Sequence, residues 1–315
     1  MIMKKVLIDT DPGIDDAVAL LFAIRSGELD IKAITTVSGN LTADRCSINA
    51  RRVLELVGRP PIPVARGPMA PLVRPFPADP FSHGSDGLAD LGLPASGVAE
   101  HPGFAPDVIV DVVNAHPGEM TLVALGPLTN IALAVMRDPT LPAKVDQLVM
   151  IGGAYGFHSA GSVRATGDNP VSEWNLYVDP EAAHIVFNAG FRIRAIGLDV
   201  VGHPTMDLSA AHRAKLREAA TPAAKFLLDA TAFVGARGFD SYTTFIDAAA
   251  IAYVLDPSLF TLQSVQVAVE TVSPLSRGQV IVERRQHHAW THLPTIQAAA
   301  EMDFARYLDV LVATL

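Results

Sequence analysis

The chain alternates between short β-branched runs and longer stretches whose apolar residues recur three or four apart. The first pattern reads as strand and the second as helix. "KVLI" (residues 5–8) predicts a strand, and "DDAVALLFAIRSG" (15–27) predicts a helix closed by Gly27. "IKAITTVS" predicts the next strand, and "ADRCSINARRVLELVG" a long helix. "PIPVA" and a Pro-rich loop from Gly67 to Pro80 follow, then a helix near 104–115. "MTLVAL" and "QLVMI" predict strands on either side of a helix from about Asn130 to Arg137. In "DPEAAHIVFNAG", Asp179 has the chemistry of an N-cap and Pro180 that of a first helical residue. "FRIRAIGLDV" predicts another strand, helices dominate from about 209 to 255, and "LQSVQVAVE" precedes a last helix near 303–313.

This alternation predicts an α/β fold: an open, mostly parallel, Rossmann-like sheet flanked by helices, with extra helices in the C-terminal half. No internal repeat or linker breaks the pattern, so residues 1–315 are expected to form one domain. Four strand-like runs end directly in polar or glycine-rich segments: "DTDPGIDD", "SGN", "GPLTN" and "GGAYG". Open parallel sheets bind ligands outside the carboxyl ends of their strands, so these segments should surround one crevice.

Composition narrows the partners. Half of the residues are hydrophobic and 18% are charged, enough for a large core. No apolar run of membrane-spanning length occurs, and the apolar stretch after "MIMKK" is cut at Asp9, which argues against a signal peptide. A net charge of −9 with 24 scattered basic residues argues against nucleic acid. The lone Cys46 cannot form an intrachain disulfide, so a reducing cytoplasm fits.

Asp9, Asp11, Asp15 and Asp16 place four carboxylates within eight residues. Helix capping accounts for one or two of them. Four need a compensating charge, and a hard, oxygen-binding cation such as calcium supplies it. Pro12 and Gly13 turn the chain so that Asp11 and Asp16 can face one point. No thiolate or histidine cluster favours zinc.

The string "DTDPGIDDA" resembles the N-terminal signature of the nucleoside hydrolases, calcium-dependent enzymes that cut the N-glycosidic bond of ribonucleosides. The resemblance continues in order through "TTVSGN", "HGSDGLADLGLP", "LVALGPLTNIALA", "LVMIGGAYG", "SEWNLYVDPEAA" and "IDAAAIAYVLDP". It implies a calcium ion held by Asp11, Asp16, Asp247 and the backbone carbonyl of Leu125. It implies a small ribonucleoside substrate contacted through its ribose by Asp15, Asn40, Glu173 and Asn175. It also implies a homo-oligomer, dimer or tetramer. A water beside the cation is the expected nucleophile and Asp11 the expected base. Carboxylates around the ribose would stabilise an oxocarbenium-like transition state.

Two positions depart from the family pattern. Ile246 precedes Asp247 where inosine–uridine-preferring relatives carry a His and purine-specific relatives a Trp. Isoleucine can neither donate a proton nor stack, so leaving-base activation falls to His83, Tyr242 or Arg237, with Trp174 as an aromatic wall. Arg237 and Tyr242 lie in the polar, glycine-containing stretch "FVGARGFDSYTTF", a candidate lid. In "ATGDNPVSEWN" the loop is one residue shorter than in the family, leaving Asn169, with Asp168, for the ribose 5′-hydroxyl. Ile246 also motivates an alternative, a non-catalytic nucleoside binder of the same fold. The magnesium phosphatases related to haloacid dehalogenases share a strand followed by Asp-x-Asp. They fit less well, because Gly13 follows Pro12 and Lys144, Lys215 and Lys225 lie in helix-like stretches.

Overall fold

The computed structural model describes residues 3–58, 62–77, 82–158, 165–203, 206–287 and 289–315. Its ten strands are β1 (Lys4–Thr10), β2 (Leu29–Thr36), β3 (Val64–Arg66), β4 (His101–Phe104), β5 (Met120–Ala124), β6 (Val145–Ile151), β7 (Ile193–Ile196), β8 (Phe260–Val269), β9 (Val280–Glu283) and β10 (Thr295–Met302). They form one sheet in the order β4-β3-β2-β1-β5-β6-β7-β10-β8-β9. Every pairing from β4 to β10 is parallel, and β8 pairs antiparallel with both β10 and β9.

The helices are α1 (Ile14–Ser26), α2 (Ala43–Leu56), α3 (Ala105–Ala115), α4 (Thr129–Arg137), α5 (Leu141–Lys144), α6 (Trp174–Val178), α7 (Pro180–Asn188), α8 (Leu198–Val201), α9 (Ala210–Ala219), α10 (Pro222–Ala236), α11 (Ala248–Leu255) and α12 (Phe304–Thr314). They cover both faces of the sheet. In β1, Val6 and Ile8 pack with α1, α2, α10, α11 and α12, while Leu7 points through to α3, α4 and α7. A strand buried on both faces reads as the unbroken apolar run "VLI", as parallel sheets require. Asp179 caps α7 by accepting from the Ala182 N–H at 3.0 Å, with Pro180 at the first helical position.

The four strands that end in polar segments, β2, β1, β5 and β6, are consecutive neighbours. Their carboxyl ends therefore meet, and the crevice expected from the sequence is formed there. Two readings change. "FRIRAIGLDV" is strand only over Ile193–Ile196, because Leu198–Val201 turns into α8. The short edge strand β4, "HPGF", carries no β signal; its Pro102 is tolerated because only one neighbour needs its hydrogen bonds. Among the described residues no helix is long and apolar enough to cross a membrane.

Candidate active site

At the end of β1 the chain makes its Pro12–Gly13 turn and enters α1, so Asp16 becomes the third residue of a helix. Its carboxylate accepts from the N–H groups of Asp11 (3.1 Å) and Gly13 (3.0 Å), the Asn40 amide (3.0 Å) and the Thr10 hydroxyl. Four donors and the helix dipole hold a buried anion in place. Asp9, whose side chain leaves the other way, accepts from Thr35 at 2.6 Å and Asn130 at 2.7 Å. It ties β1 to β2 and α4 beneath the site, and burial pushes its carboxyl up to about 7.

Asp11 is different. One oxygen accepts the Asn40 N–H at 2.7 Å, while the other is buried with no hydrogen-bond partner. Two glycines make room for it: a Cβ on Gly39 would lie 2.0 Å from Oδ2, and one on Gly126 would lie 2.3 Å from Oδ1. Burial, then the charges of Asp16 and Asp15, push its carboxyl well above the usual range. Asp247, delivered just ahead of α11, is raised by burial and then by Asp15, Asp16 and Asp11. Asp15 is pushed up to about 6 by burial, against the pull of His83.

Asp15, Asp16 and Asp247 each offer an oxygen, and these oxygens lie within 4.8 Å of one another. Calcium–oxygen distances of ~2.3–2.6 Å put oxygens on opposite sides of one ion ~5 Å apart, so the trio is spaced for such a cation. The orphaned Oδ1 atoms of Asp11 and Asp15 are what such a charge would satisfy. The sequence reading joins Asp11, Asp16 and Asp247; the trio that the structure brings to this spacing is Asp15, Asp16 and Asp247, with Asp11 next to it through its N–H bond to Asp16.

A cavity of about 450 Å³ opens beside these carboxylates. Asp15, Asn40, His83, Leu125, Glu173, Trp174, Asn175 and Asp247 all line it. Glu173 caps α6, accepting from Asn175 N–H (2.8 Å), Leu176 N–H (3.2 Å) and Gly153 N–H (3.1 Å). Burial outweighs these donors and pushes its carboxyl up to about 7. The Asn175 amide donates to the carbonyls of Leu125 (2.6 Å) and Ile151 (3.3 Å). The Leu125 oxygen retains a second lone pair. His83 accepts the Ile14 N–H on Nδ1 at 3.1 Å, which places its proton on Nε2, and the ring lies 3.7 Å from Asp15. The Trp174 ring stacks on Tyr177 at 5.9 Å.

Tyr242, Arg237 and Asn169 are not among the residues that line the cavity. Tyr242 is buried in the core beneath α1 and α10. Arg237 is exposed and lies over the Phe233 ring at 4.3 Å. Asn169 donates to the Arg277 carbonyl at 2.9 Å and accepts the Val171 N–H, bracing its own loop, while neighbouring Asp168 reaches the wall. The remaining lining residues Ile14, Leu198, Val201, Val234, Phe239, Thr243 and Ile246 escape sequence reading except at Ile246. Apolar residues on helices carry a core pattern whether they face a core or a ligand.

The comparisons with known proteins agree with this geometry. The family model for inosine-uridine preferring nucleoside hydrolases matches residues 6–309. An inosine-uridine preferring nucleoside hydrolase of Leishmania major is 35% identical, covering 99% of this chain and 97% of its own length. A pyrimidine-specific ribonucleoside hydrolase of Klebsiella pneumoniae is 34% identical over 98% of this chain and 97% of its own. The solved structure of a plant nucleoside hydrolase superposes with a TM-score of 0.86 at 34% identity, covering 99% of this chain and 98% of its own. With the family's match running nearly end to end and its signature strings gathered around one acidic cavity, the chain belongs to the inosine-uridine preferring nucleoside hydrolase family and is an enzyme of the ribonucleoside hydrolase kind.

Proposed function

We propose that the enzyme hydrolyses the N-glycosidic bond of ribonucleosides with water as nucleophile, giving ribose and free base, and that it depends on calcium. The observation that carries this reading is a buried carboxylate cluster with orphaned oxygens and no Lys or Arg among the described residues lining the cavity. Asp11, Asp16, Asp247 and the Leu125 carbonyl would hold the cation, with Asp15 bordering it. A bound calcium ion would supply positive charge that lowers the pKa of a neighbouring water.

Asp11 takes the water's proton: its second oxygen is free of hydrogen bonds and its basicity is raised by burial. Asp15, Asn40, Glu173 and Asn175 line the wall where a ribose would sit, the first and third with raised basicity suited to holding hydroxyl protons. As the bond breaks, their negative charge meets the positive charge growing on the ribose. His83, which lines the cavity beside Asp15, is a candidate proton donor to a ligand on the carboxylate side.

The test is product analysis. Uridine and inosine should yield free ribose without phosphate, and chelation should abolish turnover until calcium is restored. A requirement for inorganic phosphate, with ribose 1-phosphate as product, would refute the water nucleophile. The buried, unpaired Cys46 fits a cytoplasmic enzyme, and a dimer or tetramer is the assembly to look for by light scattering.

A further inference from the structure

The cavity lining combines two kinds of residue. One is acidic, Asp15, Glu173 and Asp247, with Asp11 and Asp16 behind them and His83 beside Asp15. The other is aliphatic, Ile14, Leu198, Val201, Val234 and Ile246. No Lys or Arg lies among the described lining residues, and the Thr243 hydroxyl donates to the Asp240 carbonyl at 2.8 Å. A neutral base that departs as an anion is opposed twice in this setting. Its developing charge meets aliphatic carbon, and it forms in the field of the carboxylates with no Lys or Arg on the described lining to offset it. A base that is already a ring cation faces neither obstacle. Its charge moves from the ring to the ribose, towards Asp15, Glu173 and Asp247, as the bond breaks.

Resting on the hydrolytic reading above, we infer that the preferred substrates are ribosides of cationic bases, N-ribosylpyridinium and N7-alkylated purine ribosides, which leave as neutral molecules. A water oxygen bonds to C1′ while the C1′–N bond breaks, and its electron pair returns to the ring nitrogen and cancels the ring's charge. The water's proton goes to Asp11 and then to solvent. One riboside cation and one water become ribose, a neutral base and one proton, and nothing is oxidised or reduced. Trp174 among the lining residues suits the same substrates, because aromatic rings attract ring cations.

The experiment compares 1-β-ribosylnicotinamide, uridine, inosine and p-nitrophenyl riboside on the full-length enzyme in calcium. A general acid is typically worth ~10²–10⁴-fold, so kcat/KM for the nicotinamide riboside should exceed that for uridine and inosine by ~10²-fold or more. Salt should raise KM for the cation several-fold and leave that for neutral p-nitrophenyl riboside unchanged, since only the cation is drawn in by charge. Ile246→His, which brings an acid to the aliphatic lining, should shift the ratio of uridine to nicotinamide riboside turnover at least ~10-fold towards uridine. Uridine or inosine turned over as well as the cation by the wild-type enzyme would overturn the inference and leave the hydrolase reading standing. Release of ribose from none of the four would overturn both.

Discussion

Replacing Asp11 by Asn is expected to make the calcium-free protein more stable while destroying its activity. In the folded chain one Asp11 oxygen accepts the Asn40 N–H and the other has no partner. Asparagine keeps the first bond through its carbonyl and removes a negative charge from beside Asp16 and Asp15. The amide NH₂ takes over the partnerless position, so the gain is electrostatic: relief of desolvated like-charge repulsion, worth ~1–3 kcal/mol. At ~2.1 cal/mol/K per residue, 315 residues unfold with ~0.7 kcal/mol/K, so Tm in chelator should rise by ~2–5 °C. Turnover should fall by several orders of magnitude, because base and charge are lost together. Asp16→Asn is the contrast. Whichever way its amide points, an NH₂ group faces two of the four donors that Asp16 accepts, so this variant should lose ~2–5 kcal/mol. Differential scanning fluorimetry with EGTA, paired with a reducing-sugar assay, reads both variants. An Asp11→Asn protein that melts below wild type in chelator, or turns over within tenfold of it, would refute the reasoning.

Three further outcomes follow from the same geometry. Gly126→Ala sets a Cβ 2.3 Å from Asp11 Oδ1 and must displace that carboxylate; with ~1 Å misplacements costing ~10²-fold, kcat should drop by at least that much, measured on p-nitrophenyl riboside. Glu173 has a folded pKa raised from 4.5 to about 7, so the folded chain binds the extra proton between these values and stability falls as pH rises through that window. The loss is ~3 kcal/mol in chelator, and a Glu173→Gln variant whose melting retains the wild-type slope from pH 4.5 to 7 would contradict it. Asn175→Ala strips the donors from the Leu125 and Ile151 carbonyls, so calcium titration should show weaker binding, by roughly tenfold, the scale of a lost supporting hydrogen bond.

How much of this is legible in the sequence depends on whether a residue's role is local. Asp16 caps a helix three residues after Gly13, and Asp179 caps the helix that Pro180 begins; both follow from spacing within one turn. Asp11, Asp15 and Asp16 cluster in the sequence itself, and the polar ends of β1, β2, β5 and β6 meet because parallel strands align their carboxyl ends. What the sequence hides is orientation. Tyr242 and Thr243 are adjacent, yet the tyrosine packs into the core and the threonine reaches the cavity, a choice set by the 3-10 turn Ser241–Thr244. Asn169 and Asp168 divide in the same way, because Asn169 is held by the Arg277 carbonyl from the distant β8–β9 connection. The aliphatic lining is hidden for another reason: Val201, Val234 and Ile246 come from three separated elements, and their pattern is that of any core.

The order of strands has a bearing on how the chain is made. β10 lies between β7 and β8, pairing Gln297 with Arg194 on one side and Ser264 on the other. On the ribosome, β7 therefore waits with an open edge while the roughly one hundred residues leading to β10 are added, ~5–20 s at ~5–20 residues per second. Through that interval the nascent chain carries an unpaired, apolar strand edge, the kind that recruits chaperones or a neighbouring nascent chain. A premature stop anywhere before Thr295 would make that transient state permanent, leaving β8 and β9 without a strand to join them to the sheet. Synthesis rate across residues 197–294, more than the stability of the finished fold, would then govern how much enzyme a cell recovers.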